Sequence, residues 1–438
     1  MAINMMRLGK LQKFSFILYD MGWRLALPLL RLNPRLKDGY AARILKVLPK
    51  GPIDIWIQAA SAGEAYLAVS LIKALPTDRE LDILVSTNTR QGMGILEKAG
   101  AELKAQGSRL NVGLSFFPFD KPSIMETAVR KIAPRVMVLL ETELWPGLLF
   151  ALHKYGCRIL IINARMTTKS LKRYRMLPNL WKKLAPERVL AISRADADRF
   201  AELFGAKTVG IMPNIKFDRV SLDGSPDDKA GRLHGLLPED CGFLVLGSIR
   251  QEEESDIIAM IEKIRSRFPD LIIGLFPRHM HRLTAWRQNL QKIQKNWTYR
   301  SALSTEPIKP GAIVLWDAFG ELNAAYAIAT AVFVGGSLAP LGGQNFLEPL
   351  IHGIIPVIGP SWENFAWVEE GLFSLGLVRK TKNWQTAAAE LIDWIENPAP
   401  RDQIRDMAAD YVKKRQGGTE QACRLLMQTL ASQPSDKP

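Results

Sequence analysis

From residue 53 onward the chain alternates short apolar runs with longer segments whose apolar positions recur every three or four residues. The runs are IDIWIQAA, DILVST, VMVLL, RILIIN and RVLAIS, then FLVLGS, LIIGLF, AIVLW, AVFVGGS and IIPVIG. Unbroken apolar runs of this length read as strands buried on both faces, and their alternation with amphipathic helices predicts βαβ units in parallel sheets. The polar stretch SLDGSPDDKAG at 221–231 separates the two sets. It predicts a boundary between about residues 213 and 230, with an N-terminal Rossmann-like domain over 36–215 and a C-terminal one over 216–438. The helices beyond about Pro400 have no strand to cross to and could pack back on the first domain. A chain of 438 residues exceeds one ordinary core, and two domains of roughly 200 residues agree with that pattern.

Composition adds one asymmetry. Hydrophobic content of 47% and charge of 23% are those of a globular protein, but the net charge of +14 is concentrated near the N-terminus. Residues 1–50 hold ten Lys or Arg, Arg7, Lys10, Lys13 and Arg24 among them, against Asp20 and Asp38. Within them FSFILYDMGWRLALPLLRL, residues 14–32, nearly reaches the length of a bilayer span. Asp20, Arg24, Pro28 and Arg31 interrupt it, which predicts a membrane-associating segment over residues 1–35 lying in the interface or partly inserted, with Tyr19 and Trp23 at headgroup level. The alternative is a first helix buried against its domain. No cleavage site follows cleanly, which argues against a secretory signal. Cys157, Cys241 and Cys423 are odd in number and far apart, so a reducing compartment is expected. Together these predict the cytoplasmic face of a membrane.

Candidate chemistry gathers after the strands, where open α/β sheets collect ligands. VMVLL runs into Glu141 and Glu143, and Pro146 then opens a helix. IDIWIQAA runs into Ser61-Ala62-Gly63-Glu64, which makes Glu64 either a general base or a helix cap. In the second half AVFVGGSLAPLGGQNFLEPL puts Gly335, Gly336 and Ser337 after a strand, then Gly342, Gly343, Asn345 and Glu348 at a helix start. Glycines there allow close backbone approach to a phosphate, and Glu348 suits ribose hydroxyls. Ser248 and Arg250 follow FLVLGS, and Arg278 and His279 follow LIIGLF, as polar and cationic partners for phosphate. The segment 165–188 is a basic amphipathic surface on which Arg165, Lys169 and Arg173 could meet a phosphorylated lipid. Asp196 and Asp198 fall in an amphipathic pattern and read as a solvated helix face. There is no GxGxxG after the first strand, no P-loop, no zinc-spaced pair and no nucleic-acid module.

The chain resembles the bacterial transferases of 3-deoxy-D-manno-octulosonic acid (Kdo). The marks are AASAGE at 59–64, ETELWP at 141–146, NAR at 163–165, IKFD at 215–218, PRH at 277–279, FGEL at 319–322, FVGGSL at 333–338 and GGQNFLEP at 342–349. The resemblance implies a GT-B glycosyltransferase, two Rossmann-like domains facing across a cleft. It also implies CMP-Kdo as donor, lipid A precursor (lipid IVA) as acceptor, inversion at the transferred carbon, no metal or cofactor, and work at the cytoplasmic face of the inner membrane. By match of motif it implies Glu64 as catalytic base and Glu141 as a second acid of the site. Arg278 then stands on the phosphate side, with Gly336, Ser337, Asn345 and Glu348 at the nucleotide. Two positions depart from the family: Ser248-Ile249-Arg250 replaces a Ser-Thr-His motif, and Gln344 stands where His is common. They favour, as an alternative, a transferase for a different activated sugar; a non-catalytic lipid-binding scaffold is the alternative from another class, and intact Glu64, Arg278, Asn345 and Glu348 speak against it.

Overall fold

A computed structural model describes residues 10–47, 49, 51–76, 80–221, 228–238, 241–293, 296–303 and 307–432. The chain divides into two compact units, residues 1–219 with 415–438, and residues 220–414. In the first, strands β1 (Ile53–Ala59), β2 (Leu81–Thr87), β3 (Leu110–Phe116), β4 (Pro134–Leu140), β5 (Arg158–Ala164), β6 (Arg188–Ala191) and β7 (Val209–Ile211) form a sheet in the order β3-β2-β1-β4-β5-β6-β7. In the second, β8 (Phe243–Ile249), β9 (Ile272–Pro277), β10 (Trp297–Tyr299), β11 (Ile313–Leu315), β12 (Ala331–Val334), β13 (Pro356–Ile358) and β14 (Arg379–Lys380) run in the order β10-β11-β9-β8-β12-β13-β14. Every neighbouring pair in the first sheet is parallel. The same holds in the second.

The physical cause of the parallel fold is burial from both sides. Ile55, Ile57, Val136 and Val138 face one apolar cluster, while Trp56, Met137 and Leu139 face another. The final helix, Gly418–Ala431, covers the first of these faces with Ala422, Cys423 and Leu426. Its entry needs a glycine, since a Cβ on Gly418 would lie 2.2 Å from the Pro213 carbonyl oxygen. At its other end Arg135 donates to the Leu430 carbonyl at 2.8 Å and Arg158 to that of Thr429, satisfying terminal carbonyls.

In each sheet the order reverses once around the strand where the unit begins. In the first the chain winds outward from β1 through β2 to β3, then returns to β4 on the other side of β1. In the second it winds out from β8 and returns to β12 beside it. The carboxyl ends of β1 and β4, and of β8 and β12, therefore flank the crevices where such sheets take ligands.

The helix Lys10–Leu30 packs along one side on the first unit. Phe16 lies against Phe150, Trp23 against Phe119, and the Tyr19 hydroxyl donates to Asp120 Oδ2 at 2.8 Å. Tyr19 and Trp23 thus face the protein rather than a headgroup layer, because the buried Asp120 carboxylate and the Phe119 ring give them partners. The opposite side leaves Ile17, Leu18, Met21, Leu25 and Leu29 exposed, and Leu32 continues the row. Among the described residues no helix is long and apolar enough to cross a membrane. Arg7 and the side chains of Lys10 and Lys13 lie outside the described residues.

Candidate active site

Glu64 opens the helix Ala62–Lys73 directly after β1. Ser61 Oγ accepts from Glu64 N at 3.3 Å and donates to Glu64 Oε1 at 3.0 Å, while Ala60 N donates to Oε2 at 2.6 Å. This is a Ser61 N-cap with the Glu64 carboxylate reaching back one residue beyond it, to Ala60 N, and it is buried: Glu64 is only 8% exposed. Burial first, then the charges of Glu143 and Glu141, push its carboxyl up to about 7. The cap reading and the base reading therefore hold for the same side chain, held rigid by its own helix and poised near neutral pH.

Glu141 and Glu143 come from the loop after β4, which pairs with β1 in a register that sets Leu139 beside Gln58. Glu141 has φ +55°, a left-handed conformation costing a non-glycine residue of order 1 kcal/mol. Its carboxylate meets Lys216 Nζ at 2.9 Å. Glu143 accepts from Trp145 Nε1 at 2.6 Å and from the Gln58 side chain, and burial raises its pKa. Gln58 is oriented in turn, its Oε1 accepting from Ser86 Oγ, which accepts from Trp56 Nε1 at 2.8 Å. Asn163, fully buried and also left-handed at φ +55°, accepts from Ile215 N at 3.0 Å and so places the single helical turn Ile215–Asp218 that carries Lys216.

The sequence predicts neither Gln58 nor Lys216 as a site residue, although Lys216 lies in the IKFD motif. The signal for Gln58 was a polar side chain late in an apolar run, beyond Asp54 at its start. For Lys216 nothing in the local pattern pointed to Glu141, 75 positions away.

The three cations proposed for the acceptor are spread over the segment after β5. Arg165 is half-buried, with its carbonyl accepting from the Thr142 hydroxyl, while Lys169 and Arg173 are exposed on the helix Thr168–Tyr174. Tyr174 in that helix feels the charges of both Glu143 and Arg173, which puts the helix beside the acidic cluster. Asp196 corrects the sequence reading. It is buried, not solvated, and its carboxylate accepts from Met166 N at 2.8 Å and from Ser193 Oγ at 2.6 Å, tying the next helix to the post-β5 loop. Asp198 is exposed and pairs with Arg194. Among the described residues no group of three His, Cys, Asp or Glu side chains could hold a metal ion.

In the second unit Ser248, next to last in β8, has φ +57°, and Arg250, half-buried, follows the strand. Arg278 is exposed after β9, and Arg278 N donates to the Ile249 carbonyl at 2.8 Å, binding the two loops together. His279 feels both arginines and the stacked His281 ring as positive neighbours; burial and these charges lower its pKa, leaving a neutral imidazole among cations. Glu348, in the first turn of Leu347–Ile351, accepts from Asn345 Nδ2 at 2.8 Å. Burial raises the Glu348 pKa while Arg278 counters it, so these three side chains share one neighbourhood.

The glycine loop differs from the expectation. Gly336 N and Ser337 N do not point free toward a phosphate; they donate to the buried Glu253 carboxylate at 2.6 and 2.8 Å. Ser337 Oγ is also committed, donating to Val334 O and accepting from Gly359 N. Gly342 N and Gly343 N donate to Ser361 Oγ and the Gly336 carbonyl.

A family model described as 3-deoxy-D-manno-octulosonic-acid transferase (kdotransferase) matches residues 30–219. Over 370 residues the chain is 28% identical to the 3-deoxy-D-manno-octulosonic acid transferase of Bordetella pertussis, covering 83% of this chain and 85% of that one. It is 26% identical to the Haemophilus influenzae enzyme of the same name over 382 residues, 86% of this chain and 87% of the other. Residues 30–219 thus carry a Kdo transferase domain, and most of the chain is similar to Kdo transferases. The protein is a glycosyltransferase, and solved structures agree at the level of fold. A Rickettsia africae glycosyltransferase superposes with a TM-score of 0.55 at 9% identity, over 87% of this chain and 100% of that one. Anabaena HepE in complex with UDP gives 0.51 at 14% identity over the same shares. Two Rossmann-like domains of the GT-B glycosyltransferase type are the architecture of this chain.

Proposed function

We propose that the protein transfers Kdo from CMP-Kdo to a lipid A precursor, with inversion, at the cytoplasmic face of the inner membrane. The observation that carries this reading is the buried Glu64 at the first sheet's crevice, held by Ser61 and Ala60 with its carboxyl raised to about 7. A carboxylate so placed removes the proton of an acceptor hydroxyl as that oxygen attacks the anomeric carbon of Kdo from the side opposite the departing CMP. Glu141 with Lys216, and Glu143 with Gln58, orient around it. Arg165, Lys169 and Arg173 take the acceptor's phosphates, as cations on an amphipathic surface do. In the second unit Arg250 and Arg278 offset the charge of the leaving phosphate, while Asn345 and Glu348 suit the ribose of a nucleoside monophosphate.

The exposed apolar row from Ile17 to Leu32, together with the basic N-terminal region, supports residence on an anionic membrane. No metal or cofactor is required by this chemistry. Purified protein incubated with CMP-Kdo and a tetra-acylated, bis-phosphorylated glucosamine disaccharide should yield a lipid heavier by one or more Kdo residues in mass spectrometry. Transfer only from another activated sugar would redirect the donor assignment to the alternative that Arg250 and Gln344 favour. CMP binding without any lipid product would leave a scaffold.

A further inference from the structure

Glu253 is fully buried, in the short turn between β8 and the helix Glu254–Arg267. Its Oε2 accepts from Arg250 N at 3.1 Å and Gly336 N at 2.6 Å, and its Oε1 from Ser337 N and Leu338 N, both at 2.8 Å. Four backbone donors from two loops thus converge on one carboxylate. Among the described residues no Lys or Arg forms an ion pair with it, so the N–H dipoles alone compensate a charge taken out of water. Successive N–H groups curled around an anion form a nest of the kind that cradles phosphate in other α/β folds. Here the protein's own carboxylate fills it.

The two loops are those flanking the second sheet's crevice, after β8 and after β12. The loop after β9 is joined to them, since Arg278 N donates to the Ile249 carbonyl. Glu253 therefore sets the backbone from which Arg250 and Arg278 project, without pointing at a ligand itself.

We propose that Glu253 is the positioning residue of the donor site: it occupies the anion nest of the glycine loop, so that the donor phosphate is held by the Arg250 and Arg278 side chains and not by loop amides. The inference rests on the donor reading above for the identity of the ligand. CMP titrated calorimetrically into the full-length protein and its Glu253→Ala and Glu253→Gln variants tests it. Removing the carboxylate should weaken CMP at least about tenfold, the scale of one or two lost charge-assisted hydrogen bonds. The donor KM should rise while the acceptor KM stays.

A merely structural role is separated by chemical rescue. Sodium acetate should restore CMP binding to Glu253→Ala by returning a carboxylate to the vacated nest, and sodium chloride at equal ionic strength should not. Equal CMP affinity in parent and variant, or acetate no better than chloride, overturns the proposal. Should Glu253→Ala fail to fold, Glu253→Gln carries the test through hydrogen exchange at Gly336, Ser337 and Leu338, faster than in the parent if Glu253 holds the loop and unchanged if it does not. Absence of CMP binding in the parent would count against the donor reading, and the same exchange measurement would still decide the loop.

Discussion

At the scale of single residues, the first unit's site is a problem of three acids and one lysine. Glu64 is raised by burial and by like charges, with Glu143 the larger of the two charged neighbours, while Lys216 spends its charge on Glu141. A base must be ionised to work, so kcat/KM should fall as the pH drops through about 7, the value to which Glu64 is pushed. Glu143→Gln removes a negative neighbour, which lowers the Glu64 pKa and should move that acidic limb to lower pH. Glu64→Gln should cost at least about two orders of magnitude in turnover with CMP affinity unchanged. A pH–rate series on the three proteins checks both; near-normal turnover of folded Glu64→Gln would remove the base assignment. The places of Glu64 and Glu141 were legible in the sequence because Glu64 lies in the first turn of the helix that follows an apolar strand and Glu141 directly follows another. Gln58 and Lys216 were not, since their partners are set by β1–β4 pairing and by a turn that Asn163 holds from another strand.

At the scale of elements, the ten apolar runs all became strands, and the four strands without such a run, β3, β7, β10 and β14, are the four sheet edges. An edge has water along one side, so its sequence carries no two-faced apolar run for periodicity to detect. The N-terminal helix shows the converse. Its pattern puts Tyr19 and Trp23 at headgroup level, with a helix buried against its domain as the alternative, yet Tyr19 reaches Asp120, which also accepts from Gly147 N and Leu148 N at 2.9 and 2.7 Å. One hydroxyl therefore joins this helix to the start of Pro146–Lys154, the helix that follows the Glu141–Glu143 loop. Tyr19→Phe removes one of three hydrogen bonds to that buried carboxyl and should destabilise the first unit by about 1 kcal/mol. That is a shift of about 2–4 °C in its melting midpoint for a body of this size. An unshifted midpoint would show that the helix docks through its rings alone.

At the scale of the whole molecule, one side of the N-terminal helix remains uncovered by protein, with Leu25 77% and Leu29 70% exposed. Burying two leucines in lipid is worth about 1.5–3 kcal/mol each, and each nearby Lys or Arg adds about 1 kcal/mol at an anionic surface. Leu25→Ser with Leu29→Ser should weaken flotation with anionic liposomes at low and high salt alike. Replacing Arg7, Lys10, Lys13 and Arg24 by Gln should weaken it mainly at low salt, because only the charge term is screened. Turnover on detergent-dispersed acceptor should survive in both. Undiminished flotation of both variants would refute the anchor.

What the sequence determined by itself is what repeats locally: strand-and-helix alternation, the two-part division of apolar runs, and the acids and arginines that directly follow strands. Short-range periodicity encodes these, because burial on both faces leaves an apolar run and the strand end leaves a polar break. Tertiary structure alone decided which groups meet. The final helix returns to the first unit. Asp196 is drawn inward by Met166 N. The glycine loop, legible as a phosphate cradle, closes on Glu253, 83 positions before Gly336. A run of glycines announces free N–H donors, but only the folded neighbourhood settles whether the anion that satisfies them comes from a ligand or from the chain itself.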